Sequence, residues 1–100
     1  MYRVGKSVAA KQLVLIYARS AEPGVRVGFS VNKRIGNSVA RNRVKRRLRA
    51  AFDPLIPHVS GGYNLIFIAR EPVVAAQFAV VASCMRYLLT KVGLLKRENA

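Results

Sequence analysis

The sequence predicts a single small α+β domain, a β-sheet with helices packed on it, and three observations carry that prediction. Of its 100 residues, 52% are hydrophobic, enough to bury a core in one domain of this length and too many for a disordered basic tail. Three short apolar runs have the period of strands, and two longer segments have the period of helices. These segments alternate as strand, strand, helix, strand, helix, with no repeat or low-complexity linker between them.

The elements follow in chain order. Gln12-Leu13-Val14-Leu15-Ile16-Tyr17 is apolar and bounded by charges, which reads as a strand buried on much of both faces. Ala21-Glu22-Pro23-Gly24 sets Pro and Gly where a turn needs them, favouring an antiparallel hairpin to the next strand. In that strand, residues 25–31, Val25, Val27, Phe29 and Val31 take one face and Arg26, Gly28 and Ser30 the other. From Asn37 the period becomes helical. Ala40, Val44, Leu48, Ala51 and Phe52 fall on one side of a helix over residues 38–52, with Asn37 or Ser38 as cap and Pro54 and Pro57 ending it. Gly61-Gly62 opens a third strand, residues 63–69, whose Leu65-Ile66-Phe67-Ile68 is apolar on both faces and belongs near the middle of the sheet. Pro72 marks the start of a last helix, along which Val74, Phe78, Val81, Met85, Leu88, Leu89 and Val92 trace one stripe up to Gly93. Residues 94–100 are expected to fray.

Charge narrows the function. The 18 Lys and Arg against 4 Asp and Glu give a formal charge of +14, and a folded domain so basic fits a polyanionic partner, nucleic acid or an acidic membrane. The cations are also concentrated. Lys33, Arg34, Arg41, Arg43, Lys45, Arg46, Arg47 and Arg49 are eight of the 18, and no acid lies between Arg26 and Phe52. Arg41, Lys45 and Arg49 form an i, i+4, i+8 ridge beside the apolar stripe, Arg43 and Arg47 take the opposite flank, and Asn42 and Arg46 face outward. A charge run is ordinarily a solvated helix face. Exposed helices mix Glu with Lys, however, whereas like charges at i, i+4 cost a few tenths of a kcal/mol each. That cost implies an external counter-charge, and the excess of Arg over Lys suits forked donation to phosphate. A membrane is disfavoured, since the helix offers only Phe52 as an aromatic wedge.

Other classes are excluded by what the chain lacks. One cysteine, Cys84, forms no internal disulfide, and no apolar run resembling a secretory leader stands near Met1, so a cytoplasmic setting is expected. The stretch between Glu71 and Arg86 is too short to cross a bilayer. One His and four scattered acids leave no protein-held metal site or carboxylate pair. Gly5-Lys6-Ser7 lacks the earlier glycine of a phosphate-binding loop. His58 reads as solvated and Cys84 as packed. Tyr2, Tyr17 and Phe29 would suit base stacking but on strands are ordinarily core.

At Arg26-Val27-Gly28-Phe29-Ser30-Val31-Asn32-Lys33-Arg34-Ile35-Gly36-Asn37-Ser38-Val39-Ala40-Arg41-Asn42-Arg43-Val44-Lys45-Arg46-Arg47-Leu48-Arg49 the chain closely resembles the protein subunit of bacterial ribonuclease P. The Arg-Asn-Arg triplet after a basic loop is long and specific, and the resemblance runs from Gly5-Lys6-Ser7-Val8-Ala9 into the last helix. It implies a small two-layer α/β sandwich, ribosomal protein S5 domain 2-like, with a left-handed βαβ crossover where right-handed is the rule. It implies an RNA-binding domain spanning residues 1–100 that assists a catalytic RNA, with Mg²⁺ held mainly by the RNA, in removing the 5′ leader of precursor tRNA. By the same resemblance Lys33, Arg34, Arg43, Arg46 and Arg47 contact the catalytic RNA. Tyr2, Ile16, Ser30, Arg41, Asn42, Lys45 and Arg49 form the rim and floor of a cleft for the single-stranded leader, and no residue of the chain is catalytic. Two departures are visible. Members usually carry a further N-terminal helix, to which only Tyr2-Arg3-Val4-Gly5 corresponds here, and Ile16 stands where an aromatic is common. A structural RNA-binding protein of ribosomal type fits the composition equally; a protein-only nuclease has no catalytic constellation behind it.

Overall fold

The structure is a computed structural model that describes residues 5–95. Its elements are β1 (Lys6–Ala9), β2 (Leu13–Arg19), β3 (Val25–Ser30), α1 (Ser38–Phe52), β4 (Tyr63–Ala69) and α2 (Phe78–Lys91), with 3-10 helices at Lys33–Ile35, Asp53–His58 and Glu71–Val73. Four strands form one sheet in the order β1-β2-β4-β3. β4 is antiparallel to β2 and parallel to β3. Its central place is what its apolar character on both faces predicts. The unit β3-α1-β4 is therefore a crossover between neighbouring parallel strands.

The expected hairpin between β2 and β3 does not form, because β4 lies between them. The turn at its entrance shows how. Ser20 donates its N–H to the Gly62 carbonyl at 2.8 Å, and Gly62 donates to the Gly24 carbonyl at 2.7 Å. The Gly61-Gly62 turn thus fills the space that a β2–β3 hairpin would close. Gly62 has φ +83, and a Cβ on Gly61 would lie 3.3 Å from the Gly24 nitrogen, so this approach needs both glycines. The four-residue β1, with only Val8 half-buried, has too little pattern to be read from sequence.

One sheet face carries both helices. Register aligns Val8, Leu15, Phe67 and Phe29 in one row of that face, and Tyr17, Leu65 and Val27 in the next. Val44, Leu48, Ala51 and Phe52 of α1 and Val81, Met85, Leu88 and Leu89 of α2 are buried against it. Phe29, Phe52 and Phe67 form an aromatic trio with centroids 5.8–6.2 Å apart, a spacing that adds to what their area buries.

Two further expectations are corrected. Pro72 opens the 3-10 helix at Glu71–Val73, not α2, which begins at Phe78. Gln77, with ψ 155, breaks the path between them, leaving Val74 and Phe78 half-exposed instead of in the stripe. Nor do residues 94 and 95 fray. Leu94 is buried, its N–H donates to the Leu89 carbonyl, its carbonyl accepts from Ser60, and Leu95 bridges to Val59. Residues 96–100 lie outside the described residues.

Candidate nucleic-acid interface

Local capping builds the loop that leads into the basic helix. Asn32 Oδ1 accepts from the Arg34 N–H and Asn37 Oδ1 from the Ala40 N–H, both at 2.9 Å. These side chains fix the starts of the 3-10 helix and of α1 without spending the Lys33 and Arg34 side chains, which stay exposed. Gly36 joins the two with φ +148, where a Cβ would stand 3.0 Å from the Ala40 Cβ. Only glycine makes this junction without strain. Of the two capping candidates, Asn37 is the cap.

Along α1 the periodicity predicted from sequence holds. Arg43, Lys45, Arg46 and Arg49 are exposed, as is Asn42, while Arg41 and Arg47 are half-buried. The two flanks meet different neighbours. The Arg49 guanidinium stands 6.0 Å from the Phe29 ring centroid, so the ridge of Arg41, Lys45 and Arg49 runs beside β3, the edge strand. On the other flank, Arg47 Nη2 donates to the Ala76 carbonyl in the segment before α2. Arg47, which the resemblance assigns to the catalytic RNA, thus spends part of its fork on the fold itself.

Among the described residues no helix packs on the second sheet face. Ser7, Ile16, Ile66 and Gly28 form one row of it, and Ala9, Val14, Ile68 and Ser30 the next. Ile16 and Ser30, separate in sequence, therefore share this face. Gly28 leaves it shallow, with open space where a Cβ would point. Ser30 and Gly28 belong to the same edge strand whose Phe29, on the helix side, is touched by Arg49, so floor and ridge flank β3 from its two faces. Tyr2 lies outside the described residues.

Electrostatics favour an external anion. Among the described residues, Arg26 is the one Lys or Arg paired with an acid, Glu22 at 2.7 Å. No cation of the loop or of α1 has an acid partner among the described residues. Cys84 is buried, and that burial pushes its thiol above its ordinary pKa, against a smaller opposing effect of hydrogen bonds with the Gln12 and Leu13 backbone. Sequence spacing missed Lys11 and Arg70, which the sheet register carries to the end where Lys33 and Arg34 stand. Their separation along the chain left no local signal.

Comparison with known proteins agrees with this geometry. The family model described as Ribonuclease P matches residues 1–93. The ribonuclease P protein component of Oceanobacillus iheyensis is 40% identical over 99 residues, covering 98% of this chain and 82% of its own. That of Thermoanaerobacter pseudethanolicus is 42% identical over 94 residues, covering 94% and 81%. Among solved structures, the Staphylococcus aureus RNase P protein superposes with a TM-score of 0.83 at 29% identity, over 92% of this chain and 84% of that one. The Thermotoga maritima RNase P protein shares the fold with a TM-score of 0.81 at 23% identity, over 87% and 83%. A basic helix and loop whose cations have no acid partner among the described residues, packed on one face of a four-stranded sheet, are thus carried by a chain that belongs to the ribonuclease P protein family.

Proposed function

We propose that this chain is the protein subunit of ribonuclease P, binding the catalytic RNA and the single-stranded 5′ leader of precursor tRNA while the RNA cleaves the leader. The observation that carries the reading is the two-flanked basic helix. Arg41, Lys45 and Arg49 run beside the edge strand that bears Gly28 and Ser30, while Arg43 and Arg46 face elsewhere. Two anionic surfaces are thereby addressed by one element. The ridge, with Asn42 on the rim and Ile16 and Ser30 on the floor, takes the leader; Lys33, Arg34, Arg43 and Arg46 take phosphates of the RNA, and Arg47, with part of its fork held by the fold, adds only a lesser contact.

Catalysis in this reading lies outside the protein. Among the described residues no three His, Cys, Asp or Glu side chains come together as a metal site would need. Mg²⁺, which the RNA and its substrate would hold, would supply the activation of water for hydrolysis. The protein's own residues bind phosphate and orient the leader. They lower the repulsion between two polyanions, so less Mg²⁺ is needed to hold them together.

Reconstitution tests this. The full chain, added to bacterial ribonuclease P RNA at low Mg²⁺, is expected to stimulate release of the 5′ leader. No stimulation rejects the reading in favour of a structural RNA-binding protein. Cleavage by the protein alone would instead make it a nuclease in its own right.

A further inference from the structure

The strand register brings three cationic segments to one end of the sheet. Leu13 faces Ala69, so the β1–β2 turn carrying Lys11 and the chain leaving β4 at Arg70 emerge side by side. Ser30 faces Ile68, so the chain leaving β3 toward Lys33 and Arg34 emerges at the same end. Two hydrogen bonds tie the first two together. The Arg70 N–H donates to the Gln12 carbonyl at 2.9 Å, and its Nη1 donates to the Ala10 carbonyl at 2.8 Å. The turn is thus held on both sides of Lys11, while the rest of the Arg70 fork stays in water. Lys11, Lys33, Arg34 and Arg70 are exposed, and none has an acid partner among the described residues, although Glu71 also stands at this end.

We propose that Lys11 and Arg70 extend the loop of Lys33 and Arg34 into a continuous phosphate-binding band, occupied by the sugar-phosphate backbone of the catalytic RNA. The inference rests on the proposed function for the identity of that RNA. Four cations gathered with one acid repel one another, and a run of phosphates offsets that repulsion. The pinned turn presents Lys11 with little backbone freedom left to lose, and the free side of a guanidinium matches a phosphate. Continuity selects the catalytic RNA over the leader. The band joins the loop proposed to contact that RNA, while the leader's proposed path follows the α1 ridge and the open face.

The test is titration of the full chain with ribonuclease P RNA over a range of monovalent salt. Lys11→Ala breaks no hydrogen bond of the fold, and Arg70→Gln is read beside a thermal melt that reports any loss of the turn. Each is expected to make the plot of log affinity against log salt shallower by about one. Arg19→Ala, which removes one charge at the opposite end of β2, should leave the slope unchanged. A wild-type slope for Lys11→Ala, or an equal effect of Arg19→Ala, overturns the band. Loss of precursor-tRNA binding by the holoenzyme with RNA assembly intact overturns the assigned occupant. A wild-type chain that does not bind the RNA at all sinks the proposed function itself, and the band's occupant with it.

Discussion

Arg47 separates stabilising cations from binding ones. Its guanidinium donates to the Ala76 carbonyl across 29 positions of sequence, joining mid-α1 to the segment before α2. Replacing Arg47 with Met keeps the stem that lies along the helix and removes the fork. A hydrogen bond from a charged donor is worth about 1.5–3 kcal/mol, and removing it leaves the carbonyl to find water. Ala76 is only half-buried, so water reaches the carbonyl and about 1–2 kcal/mol is expected. For a domain of about this size, that lowers Tm by roughly 5–10 °C. Arg47→Lys, with charge but no fork, should fall between. The assay pairs urea or thermal unfolding with salt-dependent binding to the catalytic RNA. The structure predicts a stability loss with a reduction in salt slope well below that of Arg43→Ala. Unchanged stability with a full loss of about one from the slope would refute the inward role of this side chain.

Arg43→Ala and Arg46→Ala should weaken assembly with the RNA and flatten its salt dependence by about one contact each, with Tm unchanged, because both side chains point into solvent. A Tm drop matching that of Arg47→Met would show that they are structural. Asn37→Ala removes the side chain that caps α1 and should cost about 1 kcal/mol in unfolding experiments; Asn37→Ser should restore most of it. Cys84, buried and with its pKa raised by that burial, should resist alkylation in the folded chain and react at a normal rate in denaturant. Fast labelling of the native protein would contradict its place in the core.

Much of the fold is written in local pattern; apart from the short β1, what escapes that pattern depends on residues distant in the chain. β4 declares its central position by being apolar on both faces, and α1 by Val44, Leu48 and Phe52 at helical spacing. The pairing of β2 with β4 is a long-range fact. The Pro23-Gly24 turn has the chemistry of a hairpin, yet the partner that fills the space beside β2 arrives some forty residues later. Pro72 likewise begins a helical turn as its chemistry demands, but the path breaks at Gln77, next to the carbonyl that Arg47 holds. The ridge of the candidate site was legible because it lies within one helix. That Ile16 and Ser30 share a face, and that Lys11 and Arg70 stand at one end of the sheet, depends on strand order, which no spacing encodes.

The proposed function gives one flank of α1 to the leader and the exposed cations of the loop and the other flank to the catalytic RNA. Its most direct test is the affinity of the reconstituted holoenzyme for precursor tRNA and for mature tRNA, measured with the wild-type chain and with the Arg41→Ala/Lys45→Ala/Arg49→Ala variant at an RNA concentration that saturates assembly. The wild-type preference for the precursor is expected to fall toward unity in the variant while mature tRNA binding is unchanged. Equal loss for both ligands would contradict it.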